Sequence, residues 1–170
     1  WAMEMPPMHN CMMFHLVLEG EAQFHNGAEQ VTLSSGDFML YPKGEGHKLS
    51  DGVCSFFTPL HDLPIKAVTE RFETLEFGGG GEQTSMVCGV LLFQHPLAIK
   101  LLGILPSSIL IRRDSNTPDS IIENITSLLQ SETNEIGIGA EAVIARLADI
   151  VVITAMRRHL QELGEDKIGW

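Results

Sequence analysis

The chain has 170 residues, 44% of them hydrophobic, enough for one domain, or one domain with a helical annex, around a sizeable core. Its net charge of −11, from 22 acidic against 11 basic side chains, opposes a phosphate backbone and excludes nucleic-acid binding by these residues alone. The opening WAMEMPPMHN lacks the basic start and apolar core of a secretory signal, and no run reaches the roughly 18 apolar residues of a membrane span. A soluble cytoplasmic protein with no membrane partner is expected.

Short apolar or alternating runs come first in the chain, each closed by turn residues: MMFHLVLEG, AQFH before Asn26-Gly27, EQVTL before Ser34-Ser35-Gly36-Asp37, FMLYP and VCSFFTP. This is an antiparallel β pattern. Asn26-Gly27 suits a type I′ hairpin turn, because both residues tolerate positive φ. FGGGGEQ, residues 77–83, reads as a slack loop or lid before one more strand, TSMVCGVLLF.

Near residue 95 the period becomes helical. HPLAIKLLGILP is a short apolar helix ended by Pro106 and followed by an extended ILIRR. Thr117 and Pro118 suit a cap and first turn, after which Ile121, Ile122, Ile125, Leu128 and Leu129 form an apolar stripe. The last helix, GAEAVIARLADIVVITAMRRHLQEL, is apolar on more than one face, which implies a second partner surface. Homodimerisation through Ile144, Leu147, Ile150, Val151 and Thr154 is the expected use.

The motif that carries chemistry is GDFMLYPKGEGH. Gly36, Pro42, Gly44 and His47 have the spacing of the second motif of the cupin β-barrel, which this stretch resembles, and Gly20 matches the closing glycine of the first. In metal-binding cupins the first motif supplies two histidines and a glutamate. Here those positions fall on Pro7, His9 and Met13, so the usual ligand set is broken. Strand alternation puts His9, Cys11, Met13, His15 and Val17 on one face, pointing His15 inward toward His47.

The three cysteines, Cys11, Cys54 and Cys88, form no CxxC pair and read as small buried apolar residues. Cys88 lies on a strand that should cross the same barrel. With His15 and His47 it would offer a soft three-ligand site for zinc or another transition metal, and beside an imidazolium it would be a reactive thiolate. The inert alternative is a structural histidine pair beside a buried thiol. Asp51 either orients His47 or closes the turn at Asp51-Gly52, and His25 and His61 read as solvated.

The order of blocks FHLVLEGEAQF, SGDFMLYPKGEGHKLSD, MVCGVLLFQHP, LLGILPSSI and GAEAVIARLADIVVITAMRRHL resembles the N-terminal cupin-type domain of AraC/XylS-family transcription regulators over nearly the full chain. The resemblance implies a mainly β fold with C-terminal helices. A cupin barrel, the double-stranded β-helix, is expected over 1–95 and a helical dimerisation and linker region over 96–170. A DNA-binding helix-turn-helix domain is expected beyond residue 170. It further implies a non-enzymatic domain that binds a small-molecule effector in a pocket of Met13, His15, Val17, Tyr41, His47 and Cys88. A metal-dependent cupin enzyme, of dioxygenase or isomerase type, is the alternative.

Overall fold

The structure, a computed structural model, describes residues 1–26, 29–52, 54–70, 72–113, 121–134 and 137–167. The strands run β1 (Ala2–Met5), β2 (Cys11–Glu19), β3 (Glu21–Asn26), β4 (Glu29–Ser34), β5 (Phe38–Tyr41), β6 (His47–Ser50), β7 (Thr58–Pro59), β8 (Ile65–Ala67), β9 (Glu73–Leu75) and β10 (Ser85–Leu92). Then come α1 (Pro96–Ile104), β11 (Ile109–Ile111), α2 (Ile121–Asn134) and α3 (Ala140–Lys167). Two sheets face each other, with strand orders β4-β3-β6-β1-β7 and β10-β2-β5-β11, and β8 and β9 form a separate ribbon. The geometry of the Asn26-Gly27 turn and the Thr117-Pro118 cap lie outside the described residues.

Strand β2 organises both cores. Alternation sends Cys11, Met13, His15 and Val17 between the two sheets, where they meet Met5, Phe24, Leu33, Tyr41 and Leu49. The intervening Met12, Phe14, Leu16 and Leu18 face outward under the helices, against residues such as Leu102, Ile125, Leu129, Ile144 and Val151. With both faces covered, β2 reads as a continuous apolar run, interrupted only by its histidine. His9, expected on the same face, instead sits exposed in the turn before the strand, where Asn10 has a φ of 56°.

The described residues of the second half of the chain share a core with β2 and β5. β11 joins the sheet beside β5, pairing Ile109 with Leu40 and Ile111 with Phe38. α2 and α3 pack on each other and complete the outer core. This corrects the expected interface on α3: Ile144 (6% exposed) and Val151 (1%) are buried in the chain's own core, whereas Ile150 (46%) is exposed. On α2, Ile122, Ile125 and Leu129 are buried, but Ile121 and Leu128 are exposed. In VCSFFTP the described residues give only the two-residue β7, and Phe56 beside it is exposed. Among the described residues no helix is long and apolar enough to cross a membrane.

The motif glycines act at the turns. Gly36 has a φ of 89° and Gly44 one of 62°, conformations unfavourable to a side chain, and a Cβ on Gly44 would overlap the Met8 carbonyl oxygen. The backbone N–H of Gly36 donates to Val17 O at 2.8 Å, and that of Met8 to Gly44 O at 2.8 Å, fastening each turn to the β2 side of the barrel.

Next to Gly36, Asp37 ties three segments together from a buried position. Its carboxylate accepts from the Ser34 N–H (3.0 Å), the Arg112 guanidinium (2.7 Å) and the Arg113 N–H (2.8 Å). Arg112 also donates to Thr32 O (2.6 Å), and Arg113 Nε to Glu123 on α2 (2.8 Å). Replacing Asp37 with alanine would strand two backbone donors and remove the ion pair with half-exposed Arg112, which keeps its bond to Thr32 O. Urea unfolding of Asp37→Ala should show a loss of about 3 kcal/mol, with less than about 1 kcal/mol for the exposed Arg146–Asp149 pair in Asp149→Ala.

Candidate functional site

His15 sits midway along β2 on its inward face, directly opposite Cys88 of β10 in the strand register. His47 opens β6, delivered by the Pro42–Gly46 turn. The three side chains connect in series. His15 Nδ1 lies 2.9 Å from Cys88 Sγ, His15 Nε2 lies 2.7 Å from His47 Nε2, and His47 Nδ1 lies 3.0 Å from the Glu45 carbonyl oxygen.

This order determines the protons. The Glu45 carbonyl can only accept, so His47 carries its proton on Nδ1 and leaves Nε2 bare. His15 Nε2–H therefore donates to His47, its Nδ1 is bare, and the Cys88 thiol must donate to it. Burial, followed by the neighbouring His47, holds the His15 imidazole well below its ordinary range, and burial lowers His47 to about 4. Tyr41 stacks on His47 with centroids 3.8 Å apart, and Phe24 packs 5.2 Å from His15, so aromatic walls enclose two neutral imidazoles.

Cys88 is exposed at the barrel edge, not buried as expected. Even so, the protein crowded round its sulfur pushes the thiol up, to about 12. Neutral His15 supplies no cation to stabilise a thiolate. The expected thiolate–imidazolium pair is thus replaced by a thiol donating to a neutral ring.

The same geometry bears on the expected metal centre at His15, His47 and Cys88. One ion would need their lone pairs to converge, but the two ring nitrogens of His15 face opposite ways, one toward each partner. Met13 occupies the usual glutamate position, buried and without a hard donor, and among the described residues no three His, Cys, Asp or Glu side chains are grouped to hold a metal. The donor set does not fit the metal of metal-binding cupins. Asp51 takes no part either: its carboxylate meets the Trp1 backbone nitrogen at 2.6 Å, and Glu45 O orients His47 in its place.

The expected pocket residues are packed among the inner side chains of the barrel. Met13, Val17 and Tyr41, expected to line an effector pocket, are at most 1% exposed in packed core. Space lies instead at the β10 edge, where a cleft of about 1610 Å³ runs past both faces of the strand. On the barrel side it is lined by Trp1, Met3, Met5, His15, Met86 and Cys88. On the helix side it reaches Phe14, Val87, Ile144 and Ala148 of the outer core, and the β8–β9 ribbon and glycine-rich segment border it. His47 borders a smaller hollow of about 200 Å³ with Glu4, His25 and Lys48. Alternation along SMVCGVLL groups Met86 and Val90 with Cys88, a signal that could have located the cleft wall. The contributions of Trp1 and the β8–β9 ribbon have no comparable signature. His25, expected to be solvated, is half-buried and bonds Ser50 Oγ at 3.0 Å, while His61 is exposed beside Asp62.

The two-sheet barrel, the Gly36–His47 turn geometry and the outer helices agree with one family, whose model, described as Cupin, matches residues 1–161. The chain belongs to the cupin family. This cupin is similar to an uncharacterized HTH-type transcriptional regulator of Haemophilus influenzae, with 24% identity over 151 residues, 88% of this chain and 47% of that protein. It is also similar to the HTH-type transcriptional regulator AlkR of Acinetobacter baylyi, with 26% identity over 172 residues, 98% of this chain and 55% of that one. The cupin spans about half the length of these curated relatives.

Two depressed histidines give the cupin an acid-sensitive stability. The unfolded chain takes up protons near the ordinary histidine pKa while folded His15 and His47 stay neutral, so stability is full above about 6.5 and falls as pH drops toward the folded value, about 4 for His47. The slope should approach about 1.4 kcal/mol per pH unit for each histidine. Urea midpoints from pH 7 to 4.5 should show this, and His47→Gln should flatten the profile. An equally steep profile in that variant would assign the effect elsewhere.

Proposed function

We propose that the cupin is the effector-sensing and dimerising part of an AraC-type transcription regulator, acting in the cytoplasm without catalysing a reaction. The observation that carries this reading is the place of the cleft. Its walls come from the barrel edge at β10 on one side and from α3 on the other, so an occupant would touch both the barrel and the helix proposed to pair two copies. Differential contact with two arrangements of those walls is what a sensor needs. DNA contact, in this reading, belongs to the part of such regulators that the match does not cover, which suits a charge of −11. The names of the two relatives support the same class.

The pairing surface follows from the open face of α3. Val143, Ile150, Ile153 and Leu160 are 42%, 46%, 50% and 40% exposed, and with Arg146 and Arg157 they recur at alternating spacings of three and four. The pattern reads the same in both directions about the midpoint between Val151 and Val152. Antiparallel pairing would set Ile150 against the partner's Ile153 and Val143 against the partner's Leu160, the apolar self-complementarity of a two-fold contact, while Arg146, neutralised by Asp149 on its own helix, would face the partner's Arg157. The partner is therefore a second copy of this chain, meeting a stripe that overlaps the sequence expectation only at Ile150.

Light scattering should give the mass of two chains for the native protein and of one for Ile150→Glu/Ile153→Glu, with circular dichroism unchanged. Val151→Glu should instead lose the fold, because it buries a charge in the chain's own core. Fused to a DNA-binding domain that acts only as a dimer, the native chain should restore operator binding and the Ile150→Glu/Ile153→Glu variant should not. An unchanged mass for that variant would sink the pairing surface.

A further inference from the structure

The cleft at β10 has a one-sided charge. Asp51, Glu73, Glu76, Glu82, Glu141 and Asp149 line it, whereas among the described lining residues the basic side chains are Arg146 and the neutral His15. That arginine is engaged by Asp149 at 2.9 Å, and Asp51 is engaged by the Trp1 nitrogen. Glu141 lies in the first turn of α3, where the helix dipole offsets its charge. Glu73 on β9, Glu76 just after it and Glu82 in the glycine-rich segment have no ion-pair partner among the described residues.

The rest of the lining is of the opposite character. Met3, Met5, Met86 and Val90 present apolar, largely flexible side chains, and three aromatic residues, Trp1, Phe72 and Phe77, border the same space. Thioether side chains adapt to ligands of varied shape, and aromatic faces attract organic cations once water is displaced. A cleft rimmed by one sign of charge concentrates counter-ions of the other. Carboxylates around an apolar and aromatic floor complement one kind of small molecule, with an apolar body and a cationic head.

Building on the sensing role proposed above, we infer that the effector cleft selects cationic amphiphiles, such as quaternary ammonium or protonated amine compounds with a hydrocarbon tail. The tail lies along Met3, Met5, Met86 and Val90. The cationic head meets the Glu73–Glu82 rim, with Trp1 and Phe77 as its aromatic neighbours. Binding relieves the repulsion among those carboxylates, and the α3 residues that line the same cleft, Ile144, Ala145 and Ala148 among them, are within the space the ligand enters.

The test is calorimetric titration of the whole chain with three probes of equal tail length, kept below their micellar concentrations: decyltrimethylammonium, decanol and decanoate. The cation should bind at least about tenfold more tightly than either of the others, and the preference should shrink as salt is raised. Glu73→Gln/Glu76→Gln/Glu82→Gln should bring the cation down to the affinity of decanol while leaving decanol unchanged. Val90→Asn, which removes apolar surface without adding charge, should weaken all three probes. Equal binding of the three by the native chain, or a preference for decanoate, would overturn the cation selectivity and leave a neutral or anionic effector for the same cleft. Failure of every probe to bind at millimolar concentration would remove the cleft as a ligand site, and the sensing role with it.

Discussion

The burial of β2 on both faces is the constraint on which the remaining structure depends. A strand inside a two-layer sandwich needs one apolar face, but this one needs two, because helices cover the outer surface of its sheet. The inward set is closed by aromatic and sulfur-bearing side chains and admits one polar residue, His15. A buried imidazole needs partners for both ring nitrogens, and β10 and β6 each provide one. The polar series from Cys88 to Glu45 is thus a consequence of placing histidine at the centre of a fully enclosed strand. It resembles the metal centre of other cupins in location and differs from it in geometry.

Much of this was legible in the residues. Period-two alternation in CMMFHLVLE placed His15 inward, and the spacing of Gly36, Pro42, Gly44 and His47 predicted both turns and the second histidine at a strand start. The register of β10 then brings Cys88 opposite His15. What the residues did not carry is ring orientation. His47 is turned by a backbone carbonyl two residues earlier, a group every residue possesses, so no sequence pattern announces it. Convergence and series connection use the same three residue types and differ only in that rotation.

The other misreadings share a cause. β1, β8 and β9 span three or four residues each, too short to show a period, and their partners lie far away or in an isolated ribbon. VCSFFTP has the composition of a strand but little sheet to join. On α3 the apolar excess was real, yet the choice of buried face was made by the outer surface of the β2 sheet and by α2, and the sequence of α3 alone does not contain those neighbours. Asp37 shows the converse. Its place after Gly36 looked like turn chemistry, and it also fastens β11 and, through Arg113, the start of α2 to the barrel.

One irregularity bears on how this architecture tolerates change over time. The pairing of β10 with β2 shifts register between Ser85 and Met86, just after the glycine-rich segment. From Met86 onward each residue has a fixed side: Cys88 toward the histidines, and Gly89 against Phe14, whose ring occupies the space a Cβ would need. Inverting that phase would place a side chain on Phe14 and turn the thiol away from His15. The extra residue of this bulge is Leu18 on β2, and the phase of β10 is set by its pairing from Met86 onward, not by the length of the segment before it. Thr84 donates to Glu21 O and Gln83 lies against Gly20, so insertions and deletions among residues 77–82 are absorbed ahead of these contacts, and the border of the cleft can change in length while the thiol and the two imidazoles stay in line.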